Sequence, residues 1–191
     1  MKPKNPYKAV VIGASAGGLD ALSRLLGAIP LGFKLPIMVV QHLSPHSDNY
    51  LAQHLDNLSK YTVKEAEEKE AIKSHTVYIA PPNYHLMVEE NFTLSLSVDE
   101  KVNYARPSLD VLFETAAYAY GKNLICIVLT GANNDGSKGA LTIKKNGGLV
   151  IIQDPETAYV KTMPESVLSL LKPDYSVSIE SMPEILMGLV K

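Results

Sequence analysis

The sequence predicts a doubly wound α/β domain, a mostly parallel sheet with helices on both faces and one inserted antiparallel hairpin. Three observations carry this. Short runs rich in Val and Ile recur along the chain and alternate with longer segments whose apolar residues fall at helical spacing. Several of the runs are apolar without a break, as strands covered on both faces must be. Between residues 81 and 106 the pattern changes to "HLMVEENFTLSLSV", two alternating stretches around Glu90 and Asn91, which is the mark of a hairpin.

Taken in order, residues 9–12 (AVVI) form the first strand, and a glycine-rich corner leads into a helix over 19–28, with Leu19, Leu22, Leu25 and Leu26 at helical spacing. Residues 37–41 (IMVVQ) form the second strand and run directly into His42; a helix over 50–58 follows. The strand at 77–80 precedes the hairpin, after which a helix covers 109–120. Residues 124–129 (LICIVL) and 149–152 (LVII) are buried strands separated by a helix over 138–145. Helices over 165–171 and 182–190 close the chain. With no Pro/Ser-rich linker, repeat or low-complexity tract, residues 1–191 are expected to form one domain.

Composition narrows the function. The chain is 46% hydrophobic, enough to bury a substantial single core. Its 18 basic and 20 acidic residues give a formal net charge of -2 without long runs of one sign, so no nucleic-acid partner is expected. The opening residues lack the apolar core of a signal peptide, and no apolar stretch approaches the roughly 20 residues of a membrane span. A cytoplasmic protein with no membrane insertion is expected. The single cysteine, Cys126, lies inside "LICIVLT" and reads as a small core hydrophobe.

The corner "GASAGGLD" could hold a phosphate or present a serine. A phosphate-binding P-loop needs Lys and Ser or Thr directly after its last glycine, where this chain has Leu19 and Asp20. The dinucleotide fingerprint needs glycine at position 15, where the backbone must approach a pyrophosphate; Ser15 stands there instead. What fits is G-x-S-x-G over residues 13–17, small neighbours around a serine exposed on a sharp strand-to-helix turn. The plainer alternative is that Ser15 only caps the helix.

A serine nucleophile needs a base, and the base an orienting carboxylate. Of five histidines, His42 alone directly follows a buried strand, as Ser15 does. Parallel strands end on one edge of their sheet, so residues after different strands meet there. The loop after "LICIVLTG" supplies Asp135, and Ser15, His42 and Asp135 are expected to converge on that rim. The plainer alternatives are a hydrogen-bonded strand-end histidine and an Asp135 that caps the helix starting near Ser137. The order Ser, His, Asp also excludes the α/β-hydrolase topology, in which the histidine comes last.

At this point six blocks, "VVIGASAGGLDAL", "VVQHLSP", "VYIAPPNYHL", "ARPSLDVLFETAA", "VLTGANNDGSKGAL" and "GGLVIIQDPETAYVKTMPESV", together resemble the catalytic domain of the CheB-type chemotaxis protein-glutamate methylesterases over about residues 8–170. The resemblance implies hydrolysis of glutamyl methyl esters on methyl-accepting chemotaxis receptors, with methanol released, and deamidation of receptor glutamines as a second activity. It implies Ser15 as nucleophile, His42 as base and Asp135 as its partner, the residues the strand-edge argument selects. It implies receptor cytoplasmic helices as partner, with a receptor methyltransferase or a separate regulator as further candidates. The chain departs from the family pattern at Ala16, where Thr is usual, at Ala132 and Asn133, where Met-Gly is usual, and at Thr162, usually glycine. The family's N-terminal receiver domain has no counterpart before the first strand, so control by phosphorylation in cis is not expected.

For such a mechanism the amide of Ala16 is the first candidate oxyanion donor, with a second from the loop around Ala132. Arg106 is a candidate for recognising acidic residues beside the target glutamate, or else a structural ion pair. Asp154 and Glu156 would line the cleft or, more plainly, shape the turn at Pro155. No cofactor is required, and the histidines are not set with carboxylates at metal-ligand spacing. Two other functions stay open on sequence alone: a non-catalytic module that docks a receptor or a methyltransferase, and an esterase for a different ester.

Overall fold

A computed structural model describes residues 7–44 and 46–190. Residues 1–6, read above for a signal peptide, lie outside the described residues. Seven strands form one sheet: β1 (Ala9–Ala14), β2 (Ile37–Gln41), β3 (Thr62–Glu65), β4 (Thr76–Ile79), β7 (Leu124–Val128), β8 (Leu149–Gln153) and β9 (Tyr175–Val177). They stand in the order β3-β4-β2-β1-β7-β8-β9, and every neighbouring pair is parallel. β5 (His85–Val88) and β6 (Leu94–Ser97) make the expected antiparallel hairpin as a separate two-stranded sheet.

The period-2 alternation of each strand divides the core between two faces. On β1, Val10, Ile12 and Ala14 point to one face, and Ala9 and Val11 to the other. The first face is covered by α1 (Gly18–Ala28), α2 (Tyr50–Leu58) and α6 (Met182–Val190), through Leu22, Leu25, Leu55 and Leu186 among others. The second is covered by the hairpin with α3 (Leu109–Tyr120), α4 (Ser137–Lys145) and α5 (Thr162–Leu170), through Leu86, Phe113, Ile143 and Val167. Cys126 is fully buried in this second layer, and burial pushes its thiol well up from the ordinary range. No described helix is long and apolar enough to cross a membrane.

Two strands escape the sequence pattern. Both lie at the sheet's edges, where one side of the backbone is unpaired and a continuous apolar run is not needed. β3 reads TVKE, with Val63 alone buried, and β9 is a three-residue YSV with none of its residues buried. From β1 the chain passes to β2 and the strands on that side, and later returns to β7 on the other side of β1, so the ends of β1, β2 and β7 mark the topological switch point of the sheet. Ligand crevices open at such points, beyond the carboxyl ends of the strands.

Candidate active site

The three strands at that point lead into the segments that carry Ser15, His42 and, seven residues beyond β7, Asp135. Backbone bonds hold their ends in line: His42 N donates to Ala14 O at 3.1 Å, Ser15 N to Thr130 O at 2.9 Å, and Leu129 N to Gly13 O at 2.9 Å. These continue the parallel ladders of β1 with β2 and β7 by one step, so Ser15, His42 and the loop 130–136 occupy one rim without further folding information.

Ser15 opens a tight turn closed by Gly18 N donating to Ser15 O at 2.8 Å. Gly17, the third residue of that turn, has φ 79° and ψ 2°, values a type II turn demands and an L-residue resists. Gln41 reinforces the corner from β2: its Nε2 donates to Ser15 O at 2.9 Å and to His42 O at 3.0 Å. Thr130 ties the other side, its hydroxyl donating to Ala16 O at 2.8 Å. The amides of Ala16 and Ala132 donate to no acceptor among the described residues.

Close packing fixes the serine's neighbour as well. A methyl group on Gly131 would overlap the sulfur of Met163 and come within 2.9 Å of Ser15 Cβ. Met163 is fully buried and has little room to yield. Gly131→Ala is therefore expected to cost about 1–3 kcal/mol of stability through overpacking and to slow catalysis by displacing Ser15. A thermal melt and a rate measurement check this; an unchanged melting temperature would show that the methionine moves freely.

His42 bridges the other two residues. Its Nδ1 lies 3.2 Å from Ser15 Oγ, and its Nε2 lies 2.8 Å from Asp135 Oδ2. The ring is largely covered, with 14% of its side chain exposed, and the Asp135 side chain is fully buried.

Asp135 was read from sequence as a possible cap of the helix at 137, but Gly136 occupies that capping position. Its carboxylate instead sits on the N-terminus of α3. It accepts Leu109 N at 2.7 Å on Oδ2, and on Oδ1 it accepts Asp110 N at 3.2 Å, Ser108 Oγ at 2.8 Å and Asn103 Nδ2 at 3.0 Å. Together with His42 these five donors surround a buried anion where the helix presents unsatisfied N–H groups. Burial alone pushes the carboxyl up, but the bonds from His42, Leu109, Asn103 and Ser108 outweigh it and hold Asp135 below the ordinary Asp value. A charged Asp135 directs the Nε2 proton of His42 toward itself, which leaves Nδ1 as the basic nitrogen facing Ser15.

Behind this pair stands a second carboxylate. Asp110 accepts Gly139 N at 2.7 Å, and Asn103 Nδ2 bridges it to Asp135 at 2.9 Å. Burial raises its carboxyl, the Gly139 bond opposes that, and the Asp135 charge adds to the rise.

A cleft of about 440 Å³ opens over Ser15 and His42, walled by Leu43, Lys101, Tyr104 and Asn133 among others. Arg106 also lines it, its guanidinium held in place by the surrounding loops: Nε and Nη2 donate to Asn83 Oδ1, and Nη1 to the carbonyls of Val98 and Asp99. Among the described residues it makes no ion pair. Asp154 shapes its turn, accepting Glu156 N at 3.0 Å. The sequence reading missed Asn103, Ser108 and Gln41. A Ser before a helix gave a signal of sorts at 108, but its hydroxyl serves Asp135 and not its own helix.

Comparison with known proteins identifies the family. The family model described as CheB methylesterase matches residues 10–186. A protein of Leptospira interrogans is 49% identical over 183 residues, covering 96% of this chain and 95% of its own. The protein-glutamate methylesterase/protein-glutamine glutaminase of Thermotoga maritima is 41% identical over 192 residues, 99% of this chain and 56% of that protein, so the chain spans little more than half of it. The crystal structure of the Thermotoga maritima CheB methylesterase catalytic domain superimposes with a TM-score of 0.92 at 41% identity, covering 96% of this chain and 99% of that one. A seven-stranded parallel sheet carrying Ser15, His42 and Asp135 on one rim, matched over almost its whole length at this identity, places the chain in the CheB methylesterase family.

Proposed function

We propose that this chain is a protein-glutamate methylesterase that hydrolyses glutamyl methyl esters on the cytoplasmic helices of chemotaxis receptors, with Ser15 as nucleophile, His42 as general base and acid, and Asp135 as the group that orients and charges the base. The observation that carries the reading is the continuous relay from Ser15 Oγ through the His42 ring to a buried, charged Asp135. His42 Nδ1 takes the Ser15 proton while Oγ bonds to the ester carbon. The carbonyl oxygen becomes an oxyanion, for which the unengaged amides of Ala16 and Ala132 are the candidate donors. His42 returns the proton to the departing methoxy group, and methanol leaves. Water then attacks the acyl-enzyme by the same path, releasing the glutamate carboxyl group and restoring Ser15.

The same acyl-enzyme forms from a glutamine side chain, with ammonia in place of methanol. The name of the Thermotoga maritima relative includes glutaminase, which supports deamidation of receptor glutamines as a second activity of this site. The experiment is incubation of the purified chain with radiomethylated receptor membranes and measurement of volatile methanol, with deamidation followed by the mass of receptor peptides. Binding to the membranes without methanol would favour a docking module, and turnover confined to small esters would favour another substrate.

A base that must be neutral to act gives a pH dependence. kcat/KM is expected to fall on acidification, as the imidazole takes up a proton and loses its acceptor. A pH profile with no acid limb would remove His42 from the role.

A further inference from the structure

The side-chain amide of Asn133 is fixed in its orientation. Its Oδ1 accepts the main-chain N–H of Asp135 at 3.1 Å. A main-chain N–H can only donate, so the oxygen must lie on that side. The amide nitrogen then lies 3.1 Å from His42 Nδ1, the same atom that faces Ser15 Oγ at 3.2 Å. A neutral imidazole offers one in-plane lone pair at this nitrogen. Two donors converge on one acceptor.

We infer that Asn133 is a positioning residue which holds Nδ1 of His42 unprotonated in the resting enzyme, competes with the Ser15 hydroxyl for its lone pair, and must withdraw when the serine proton is transferred. This rests on the assignment of His42 as the base. Once Nδ1 carries the proton, the Asn133 N–H group faces another donor, and the contact turns from attractive to repulsive. Asn133 is half-buried on the cleft wall, between exposed Ala132 and Asn134, so its amide has open space to turn into. The groups facing His42 from the other elements are Asp135 on the Nε2 side, Asp110 behind it through Asn103, and Lys101 and Arg106 on the cleft wall. Replacing Asn133 changes none of these side chains; what Asn133→Ala removes besides the contact to Nδ1 is the acceptor for the Asp135 N–H.

The test uses the full chain, ¹⁵N NMR of the histidine rings without substrate, and kcat/KM for methanol release across pH. The His42 signals are assigned by their loss in His42→Gln. In Asn133→Ala the pH at which the ring takes its proton is expected to rise by about half a unit to one unit, the size of one neutral hydrogen bond. The acid limb of kcat/KM moves with it, and the alkaline plateau stays level or rises by up to about tenfold. Asn133→Asp keeps an acceptor for the Asp135 amide and places an anion beside Nδ1. It is expected to raise the ring titration by more than about one unit and to lower the neutral-pH rate. If Asn133 served only to tether the loop, Asn133→Ala would lose rate without moving the ring titration and Asn133→Asp would recover it; that pattern overturns the inference. The shifted titrations in a protein that releases no methanol would leave the inference standing and remove the substrate reading. Normal methanol release with an unmoved titration in Asn133→Ala would do the reverse.

Discussion

Replacing Ser15 by alanine is expected to cut methanol release by about 10⁴-fold or more while leaving the fold unchanged. The two consequences come from different atoms. The side-chain oxygen has His42 Nδ1 as its hydrogen-bond partner, so its loss removes the nucleophile and takes nothing from the framework. The framework bonds at this position run through the main chain: Ser15 N to Thr130 O, and Gly18 N and Gln41 Nε2 to Ser15 O. Alanine keeps all of them, and it keeps the Cβ that lies against Gly131. The residual rate should be that of an ester held by the Ala16 and Ala132 amides with water as nucleophile. A variant with the wild-type melting temperature and more than about a tenth of the wild-type rate would exclude Ser15 as nucleophile.

The position of that serine was legible in the sequence because everything that places it is local. An unbroken apolar run, a G-x-S-x-G corner and a helical repeat specify strand, turn and helix in sequence, and parallel pairing does the rest. The same logic found His42, directly after β2, and Asp135, in the loop that follows β7. It failed at β3 and β9, whose short edge sequences have no apolar run to register. It failed too for the surroundings of Asp135. Asn103 and Ser108 arrive on an irregular segment where Asn103 and Tyr104 have φ of 49° and 64°, conformations with no periodic signal, tolerated by Asn better than by most residues. The direction of the His42 ring was also beyond reach, because it depends on which donor stands on each side: Asp135 needs the Nε2 proton, and Asn133 needs the Nδ1 lone pair. Arg106 lines the cleft, and the partners that hold its guanidinium there, one side chain and two carbonyls from irregular loops, had no sequence signal.

Asp135→Asn is expected to lower kcat by about 10⁴-fold with little change in the position of the three residues, because it changes a tautomer. The carboxylate accepts two donors on Oδ2, from His42 Nε2 and Leu109 N, and three on Oδ1. An asparagine must turn its NH₂ group to one set, and the Oδ2 side conflicts with fewer donors. There the NH₂ faces His42 Nε2 and forces it to accept, which moves the ring proton to Nδ1. That proton then points at Ser15, where a lone pair is needed, and at the Asn133 amide, where it meets a second donor. Stability should fall as well, by about 1–3 kcal/mol, since Leu109 N is left against a donor in a buried site. The sign with pH follows from a carboxyl whose folded value lies below its ordinary 3.8. The anion's contribution is fully present above that value and is lost as pH falls through the lower folded one. The stability gap between wild type and variant should therefore be wide at neutral pH and narrow below about pH 4. Rate measurements at neutral pH and denaturant melts from neutral to acid pH test both halves. A folded variant within tenfold of the wild-type rate would show that the imidazole finds its working tautomer without the anion.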